Sequence, residues 1–278
     1  MKEIFDRVSA ECSRIITTTY STSFSAGIYF LDKRLHGPLY SIYAFVRCAD
    51  EIVDSFEGFD KRSLLVDFRA QTFRAIDQRI STNPVLNSFQ KAVHKYRIQL
   101  DLIETFLNSM EMDLMPHEYD RTKFDTYILG SAEVVGLMCL HVFTEGDRDL
   151  YDCLKGSAMK LGSAFQKVNF LRDMQADYKV LGRMYFPHVN FDLFSEEDKM
   201  AIENEIAIEF AEALEGIKQL PRSSRLGVYI AYKYYQALLK KIKRLSARRV
   251  KEERIRVRNE KKLQLMVHSY IEHQFNLL

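Results

Sequence analysis

Proline and glycine are scarce. Five Pro and eleven Gly punctuate 278 residues, of which 47% are apolar. A many-stranded β fold needs turn residues every few positions, so this poverty excludes one and predicts a mostly helical protein with next to no strand. Charge of one sign is lacking too: the formal net charge is +2, and no global field argues for nucleic acid or a strongly acidic partner. Cys12, Cys48, Cys139 and Cys153 have no C-x-x-C spacing and read as reduced, buried thiols. His36, His94, His117, His141, His188, His268 and His273 show no metal-ligand spacing. There is no G-x-G-x-x-G. The opening residues, MKEIFDRVSAECSRII, lack the continuous apolar core of a secretion signal, which predicts a cytoplasmic protein. The longest apolar stretch, residues 132–143, is interrupted by Glu133 and His141. It falls short of the ~20 residues a spanning helix needs.

What the chain does have is a 3.6-residue apolar period. It runs through Ile4, Val8, Cys12, Ile15 and Ile16, then Leu64, Leu65, Phe68, Phe73 and Ile76, then Leu100, Ile103, Phe106, Leu107 and Met110. Breaks are expected at residues 35–38, 57–60, 81–84, 116–121, 145–148, 181–190 and 220–224. None is long enough for a linker and no repeat is visible, so residues 1–278 are expected to form one all-α domain.

Two segments separate charge from apolar residues. In residues 39–56, LYSIYAFVRCADEIVDSF, a helical projection puts Tyr43, Arg47, Asp50 and Asp54 on one stripe. Ile42, Ala44, Phe45, Val46, Cys48, Ala49, Ile52 and Val53 coat most of the rest, which marks a buried helix whose ionised stripe faces an internal cavity. In residues 164–177, AFQKVNFLRDMQAD, the same arithmetic aligns Gln166, Asn169, Asp173 and Asp177. Carboxylates four residues apart repel unless a cation lies between them. Two such helices facing each other would make a cage of hard oxygen ligands suited to Mg²⁺ and a diphosphate, with Arg47, Arg172 and Arg183 taking up phosphate charge. The plainer account, surface carboxylates in i to i+4 ion pairs, suffices for one acidic pair but does not explain two on apolar helices.

These residues resemble the squalene/phytoene synthase family. Its first signature, Y-A-x-x-R-x-x-D-x-x-x-D, stands as YAFVRCADEIVD (43–54), and its second, Q-x-x-N-x-x-R-D-x-x-x-D followed by G-R-x-Y-x-P, as QKVNFLRDMQAD and GRMYFP (166–187). The likeness continues in STSF (21–24), MDL (112–114), YILGSAEVVGLM (127–138), YYQALL (234–239) and RIRVRNEKKL (254–263). The resemblance implies a single-domain, all-α isoprenoid-synthase bundle with a central cavity. In it Asp50, Asp54, Asn169, Asp173 and Asp177 would hold Mg²⁺, with Mn²⁺ as a substitute, and bound diphosphate. Tyr43, Arg47, Gln166, Arg172, Arg183 and Tyr235 would contact diphosphate or the reacting carbons, with Ser21 and Phe24 at the mouth. Tyr127, Val135 and Gly136 would line the cavity, the glycine leaving room for a prenyl tail. The four aspartates with Tyr43 and Tyr127 would be catalytic.

The implied reaction is head-to-head condensation of two prenyl diphosphates through a cyclopropyl diphosphate. The DEIVD form of the first signature and the lack of a C-terminal anchor look like the phytoene branch: two geranylgeranyl diphosphates to phytoene, for carotenoid biosynthesis, without NADPH. The alternative is a squalene or dehydrosqualene synthase acting on farnesyl diphosphate. Departures from the pattern are Thr22, where a basic residue often stands between the serines, Ala132 and Glu133 in place of an Ala-Gly pair, and Ala176 before the last aspartate. Between residues 240 and 262 twelve residues are Lys or Arg. This run is expected to attract anionic lipid at the inner face of a membrane; no aromatic interleaving supports nucleic acid, and a solvated helix face is the plainest alternative. A catalytically inactive helical assembly protein would have lost the aspartates, and a prenyl diphosphate hydrolase would differ in its product.

Overall fold

Helix starts follow capping chemistry. The computed structural model describes residues 1–115, 119–187 and 189–274. They form α1 (Lys2–Tyr20), α2 (Thr22–Tyr29), α3 (Lys33–Asp54), α4 (Lys61–Gln78), α5 (Pro84–Tyr96), α6 (Leu100–Met112) and α7 (Arg121–Ile128). A π-helical turn, Leu129–Glu133, leads into α8 (Val134–Phe143), then α9 (Arg148–Leu181), α10 (Glu196–Gln219), α11 (Arg222–Lys243), α12 (Ala247–Glu252) and α13 (Asn259–Gln274). No strand occurs among the described residues. Asp32, Asp60, Asn83, Asp120 and Asp147 each accept a first-turn amide of the helix that follows. Ser195 and Asp198 complete a reciprocal capping box on α10. Positions 116–118 of one expected break, His117 among them, and His188 lie outside the described residues.

The break expected at residues 35–38 does not occur, because α3 runs through Pro38. The helix begins under the Asp32 cap, so the proline falls in its second turn and forfeits one backbone hydrogen bond, while buried Leu35 and Leu39 hold that turn against the bundle. Conversely, the chain turns between α5 and α6 without Gly or Pro, using Arg97 at φ 54. The apolar stretch is also longer than its sequence suggested: Arg121–Phe143 is a continuous 23-residue helical run, apolar and long enough by composition to cross a membrane. Its most apolar window is 61% buried inside the bundle, where it serves as a core helix.

α3 divides its surface between two tasks. Phe45 is fully buried and stacks on Phe89 at 4.0 Å, with Phe68 at 5.7 Å and Phe106 at 5.4 Å, tying α3 to α4, α5 and α6. Burying such a ring is worth roughly 1.5–3 kcal/mol. The opposite face of α3 looks into a cavity of about 1030 Å³ that α2, α6, the π-helical turn, α8, α9, α10 and α11 close around. The whole is an all-α, single-domain helical bundle built around that hollow.

Candidate active site

The two polar stripes meet. Tyr43, Arg47, Asp50 and Asp54 of α3 and Gln166, Asn169, Asp173 and Asp177 of α9 all line the one cavity. Ser21, Phe24, Tyr127, Val135, Gly136, Arg172, Arg183 and Tyr235 line it as well. Ser21 also caps α2 by accepting from the Phe24 amide, and Phe24 stacks on Tyr43 at 4.9 Å. On the far wall Tyr235 donates to Asn169 Oδ1 at 3.2 Å and stacks on Phe165 at 3.9 Å.

The end of α9 explains why arginine follows glycine there. Gly182, at φ 66, reverses the chain, and its amide and that of Arg183 both donate to the Asp177 carbonyl. The turn swings Arg183 back to α3, where Nη1 donates to Asp54 at 2.6 Å. Nη2 donates to the Asp113 carbonyl at 3.0 Å, and the Asp113 carboxylate lies 3.6 Å from Nη1. Asp113 in turn accepts from the Tyr127 hydroxyl at 2.7 Å. Tyr185 stacks on Tyr127 at 5.2 Å and on Phe170 at 4.0 Å, closing the cluster. Asp113, Tyr185 and Arg254 are site residues that helical projection missed. The signals available were their places within MDL, GRMYFP and RIRVRNEKKL.

Each acidic position has basic company except one. Asp50 accepts from Arg47 at 2.5 Å, and Arg47 reaches Glu51 as well. Asp173 pairs with Arg172 at 2.5 Å and with Arg254 at 2.7 Å. Asp177 has no ion pair among the described residues. Burial, then Asp173 and Asp54, push its carboxyl up to about 7. Burial and Asp54 likewise push Asp50 up to about 7 against the pull of Arg47, although 35% of its side chain faces the cavity. Asp113 rises to about 6 through burial, opposed by Arg183 and Tyr127. That Asp177 on α9 feels Asp54 on α3 is the electrostatic sign that the stripes face each other. They do not form the expected cage of ligands, since among the described residues no three carboxylate, His or Cys side chains converge on one ion position. Asp50, Asp54 and Asp173 are instead each paired with arginine.

Two further expectations change. A Cβ on Gly136 would stand 2.9 Å from the Ala158 carbonyl oxygen, and one on Gly162 would stand 2.7 Å from that of Ala132. Gly136 therefore brings the α8 and α9 backbones together rather than leaving space for a tail. The basic run at 240–262 is not a free patch either. Arg248 pairs with Glu252, Arg249 with Glu253 and Arg254 with Asp173, while Lys241 donates to the Arg256 carbonyl.

A helical bundle enclosing one deep cavity, with aspartates and guanidinium groups at one end and apolar walls elsewhere, defines an isoprenoid-synthase architecture. The chain belongs to the squalene/phytoene synthase family, whose profile matches residues 17–261. A phytoene synthase of Mycobacterium bovis is 25% identical over 178 residues, 64% of this chain and 57% of the relative, so the match spans little more than half of that protein. A presqualene diphosphate synthase of Sinorhizobium fredii is 28% identical over 180 residues, covering 63% of this chain and 62% of the relative. Among solved structures, a dehydrosqualene synthase in complex with ligand superposes with a TM-score of 0.80 at 20% identity, covering 97% of this chain and 98% of that one, which supports the fold.

Proposed function

We propose that the protein joins two prenyl diphosphates head to head, 1′ to 1, through a cyclopropyl diphosphate, as a Mg²⁺-dependent prenyltransferase that accepts Mn²⁺. The observation that carries this reading is the union, in one cavity of about 1030 Å³, of an anion-and-cation end with aliphatic and aromatic walls. That volume is at the top of the ~300–1,000 Å³ usual for small-molecule sites, as two long chains require. Mg²⁺ commonly takes one or two carboxylates plus substrate phosphates and keeps several waters. Spread aspartates without a three-residue cluster among the described residues therefore fit a cation that arrives with diphosphate, and Asp177, without an ion pair among those residues and pushed up by burial and its acidic neighbours, lacks only positive charge. Asp50, Asp54, Asn169, Asp173 and Asp177 would hold it. When bound, the cation supplies the charge withdrawal that lets diphosphate leave.

The chain's own groups do the rest. Arg47, Arg172 and Arg183 offer planar donor forks to phosphate oxygens, and Ser21 and Gln166 add neutral contacts. Phe24, Val135 and the close seam at Gly136 keep water from the reacting carbons. Tyr43, Tyr127 and Tyr235 turn π faces toward developing positive charge.

Farnesyl diphosphate, ending at squalene or dehydrosqualene, comes first as substrate, because the presqualene diphosphate synthase relative matches at 28% identity against 25% for the phytoene synthase. Geranylgeranyl diphosphate, giving phytoene for carotenoid biosynthesis without NADPH, is the second reading. The same proposal places a cytoplasmic enzyme against anionic lipid through Lys240, Lys243 and Arg244 at the end of α11. Incubation with C15 and C20 diphosphates and Mg²⁺, with and without NADPH, is expected to yield a coupled hydrocarbon from one length. Asp50→Asn and Asp173→Asn are expected to abolish it with the fold intact. A prenyl alcohol alone would mark a hydrolase, and no turnover of either length would reject the proposal.

A further inference from the structure

Apolar side chains are left in solvent around one end of the bundle. Phe59 is 73% exposed, Val180 80% and Leu193 78%, with Phe56, Met115 and Tyr178 exposed beside them. They belong to the α3–α4 connection, the α6–α7 connection, and the last turn of α9 with the connection that follows it. Direct contacts gather these segments. The rings of Phe56 and Phe59 meet edge to face at 6.5 Å, and Arg62 Nη2 donates to Met115 Sδ at 3.9 Å. Arg183, three residues after Val180, donates to the carbonyls of Val53 and Asp113. Tyr178 stacks at 4.1 Å on Phe191, two residues before Leu193. One apolar residue in solvent is ordinary, but six brought to the same end of a molecule mark a surface that meets something.

The neighbouring charge identifies the partner. Lys251 joins the apolar group to the basic segment: its ammonium donates to the Asp192 carbonyl at 3.0 Å and stands 5.6 Å from the centroid of the Phe191 ring. Residues 240–254 hold eight Lys or Arg against Glu252 and Glu253. Those two acids are taken up by Arg248 and Arg249. Lys240, Lys241, Lys243 and Arg244 are exposed and have no ion pair among the described residues. An apolar group bordered by unmatched positive charge complements a bilayer with anionic head groups, where rings and aliphatic chains enter the boundary and ammonium groups stay with the phosphates. A second copy of the chain would instead set these cations against their own images across a two-fold axis.

We propose that this end of the bundle docks on an anionic membrane surface, with Phe56, Phe59, Val180 and Leu193 entering the head-group boundary. The inference deepens the lipid contact proposed above, adding an apolar anchor to the cations at the end of α11. It also sets Asp54 and Arg183, which line the charged end of the cavity, beside the boundary where a membrane-dissolved prenyl chain presents its diphosphate.

The chain contains no tryptophan, so one placed at position 59 reports insertion without background. Phe59→Trp mixed with vesicles of phosphatidylcholine and phosphatidylglycerol is expected to shift its emission to the blue and to be quenched by brominated acyl chains. Tyr29→Trp is the control. The Asp32 amide donates to the Ser223 carbonyl, which sets the end of α2 beside the start of α11, about 30 Å along that helix from Lys243, and no shift is expected there. Phe59→Asp/Val180→Asp is expected to cosediment with the same vesicles about tenfold more weakly than the wild type, at an unchanged melting temperature. Equal responses from the two tryptophan variants, or an equal shift with phosphatidylcholine alone, would overturn the proposal. So would weakened cosedimentation of Lys240→Gln/Lys243→Gln with wild-type binding by Phe59→Asp/Val180→Asp, which would keep the basic contact and remove the apolar anchor. A wild-type dimer in light scattering that Phe59→Asp/Val180→Asp dissociates would put a second copy on this face and overturn it as well. Vesicle insertion at position 59 without any coupled hydrocarbon would sink the proposed reaction and leave the docking surface standing.

Discussion

Among single residues, Asp113 is the most consequential one that helical projection passed over. It lines the cavity with its side chain almost wholly buried, and joins Arg183, which reaches Asp54, to Tyr127. Its Oδ1 accepts no hydrogen bond among the described residues, while Arg183 and the Tyr127 hydroxyl hold the carboxylate. Asp113→Ala would leave the Arg183 guanidinium without its buried counter-charge and the Tyr127 hydroxyl without its acceptor. Misplacing two groups of a reacting site by about an ångström costs roughly 10²-fold in rate. Steady-state kinetics of hydrocarbon formation are therefore expected to show kcat/KM down by about that factor in Asp113→Ala, with smaller loss in Asp113→Asn, which keeps an acceptor for Tyr127. Equal activity in both variants would mean that Arg183 and Tyr127 hold their own positions.

Between elements, the shape of the cavity depends on how α9 meets its neighbours. On one side the backbones of α8 and the π-helical turn press against α9 at Gly136 and Gly162. Gly162→Val is expected to destabilise by about 1–3 kcal/mol through overpacking, visible as a lower denaturation midpoint. On the other side Lys167, almost fully buried, bonds Glu205 and Glu209 of α10 at 2.6 Å each, and Ser163 donates to Glu209 at 2.8 Å. Removing one member strands the other, so Lys167→Met is expected to cost about 3–5 kcal/mol in denaturant unfolding, while Lys167→Met/Glu209→Leu recovers most of it. At this scale the sequence was readable in part. The 3.6-residue period reveals the helices, and the i to i+4 spacing reveals which side chains share a face, because both are local. That Lys167 is a buried charge cannot be read locally, since its partners lie 38 and 42 residues away. Pro38 reads as a break because its tolerance depends on where the Asp32 cap starts the helix.

Across the whole molecule, charge sets the balance between folding and binding. The stripes on α3 and α9 could be read from spacing, and their facing one another followed from two apolar coats that need burial. The arginine partners of Asp54 and Asp173 could not, because Arg183 and Arg254 arrive from distant turns. Asp50 and Asp177 are pushed up to about 7 by burial and by nearby carboxylates, Asp54 for both and Asp173 for Asp177, against roughly 3.9 in an unfolded chain. The folded state then holds more protons than the unfolded one between about pH 4 and pH 7, so stability declines as pH rises through that window. Under the proposed function, Mg²⁺ with diphosphate would substitute for those protons and is expected to flatten the decline. Urea unfolding across the window, with and without both, checks it, and a metal-free protein that grows more stable toward neutral pH would contradict the charge arrangement.

Arg254, Ile255, Arg256 and Val257 line the cavity in the extended stretch between α12 and α13, and the Ile255 amide donates to the Arg172 carbonyl. A ribosome delivers these residues after nearly every other part of the wall. During synthesis the hollow therefore stays open along one side until the tail emerges and straps across α9, and a nascent or clipped chain lacking it has a cavity with one wall missing.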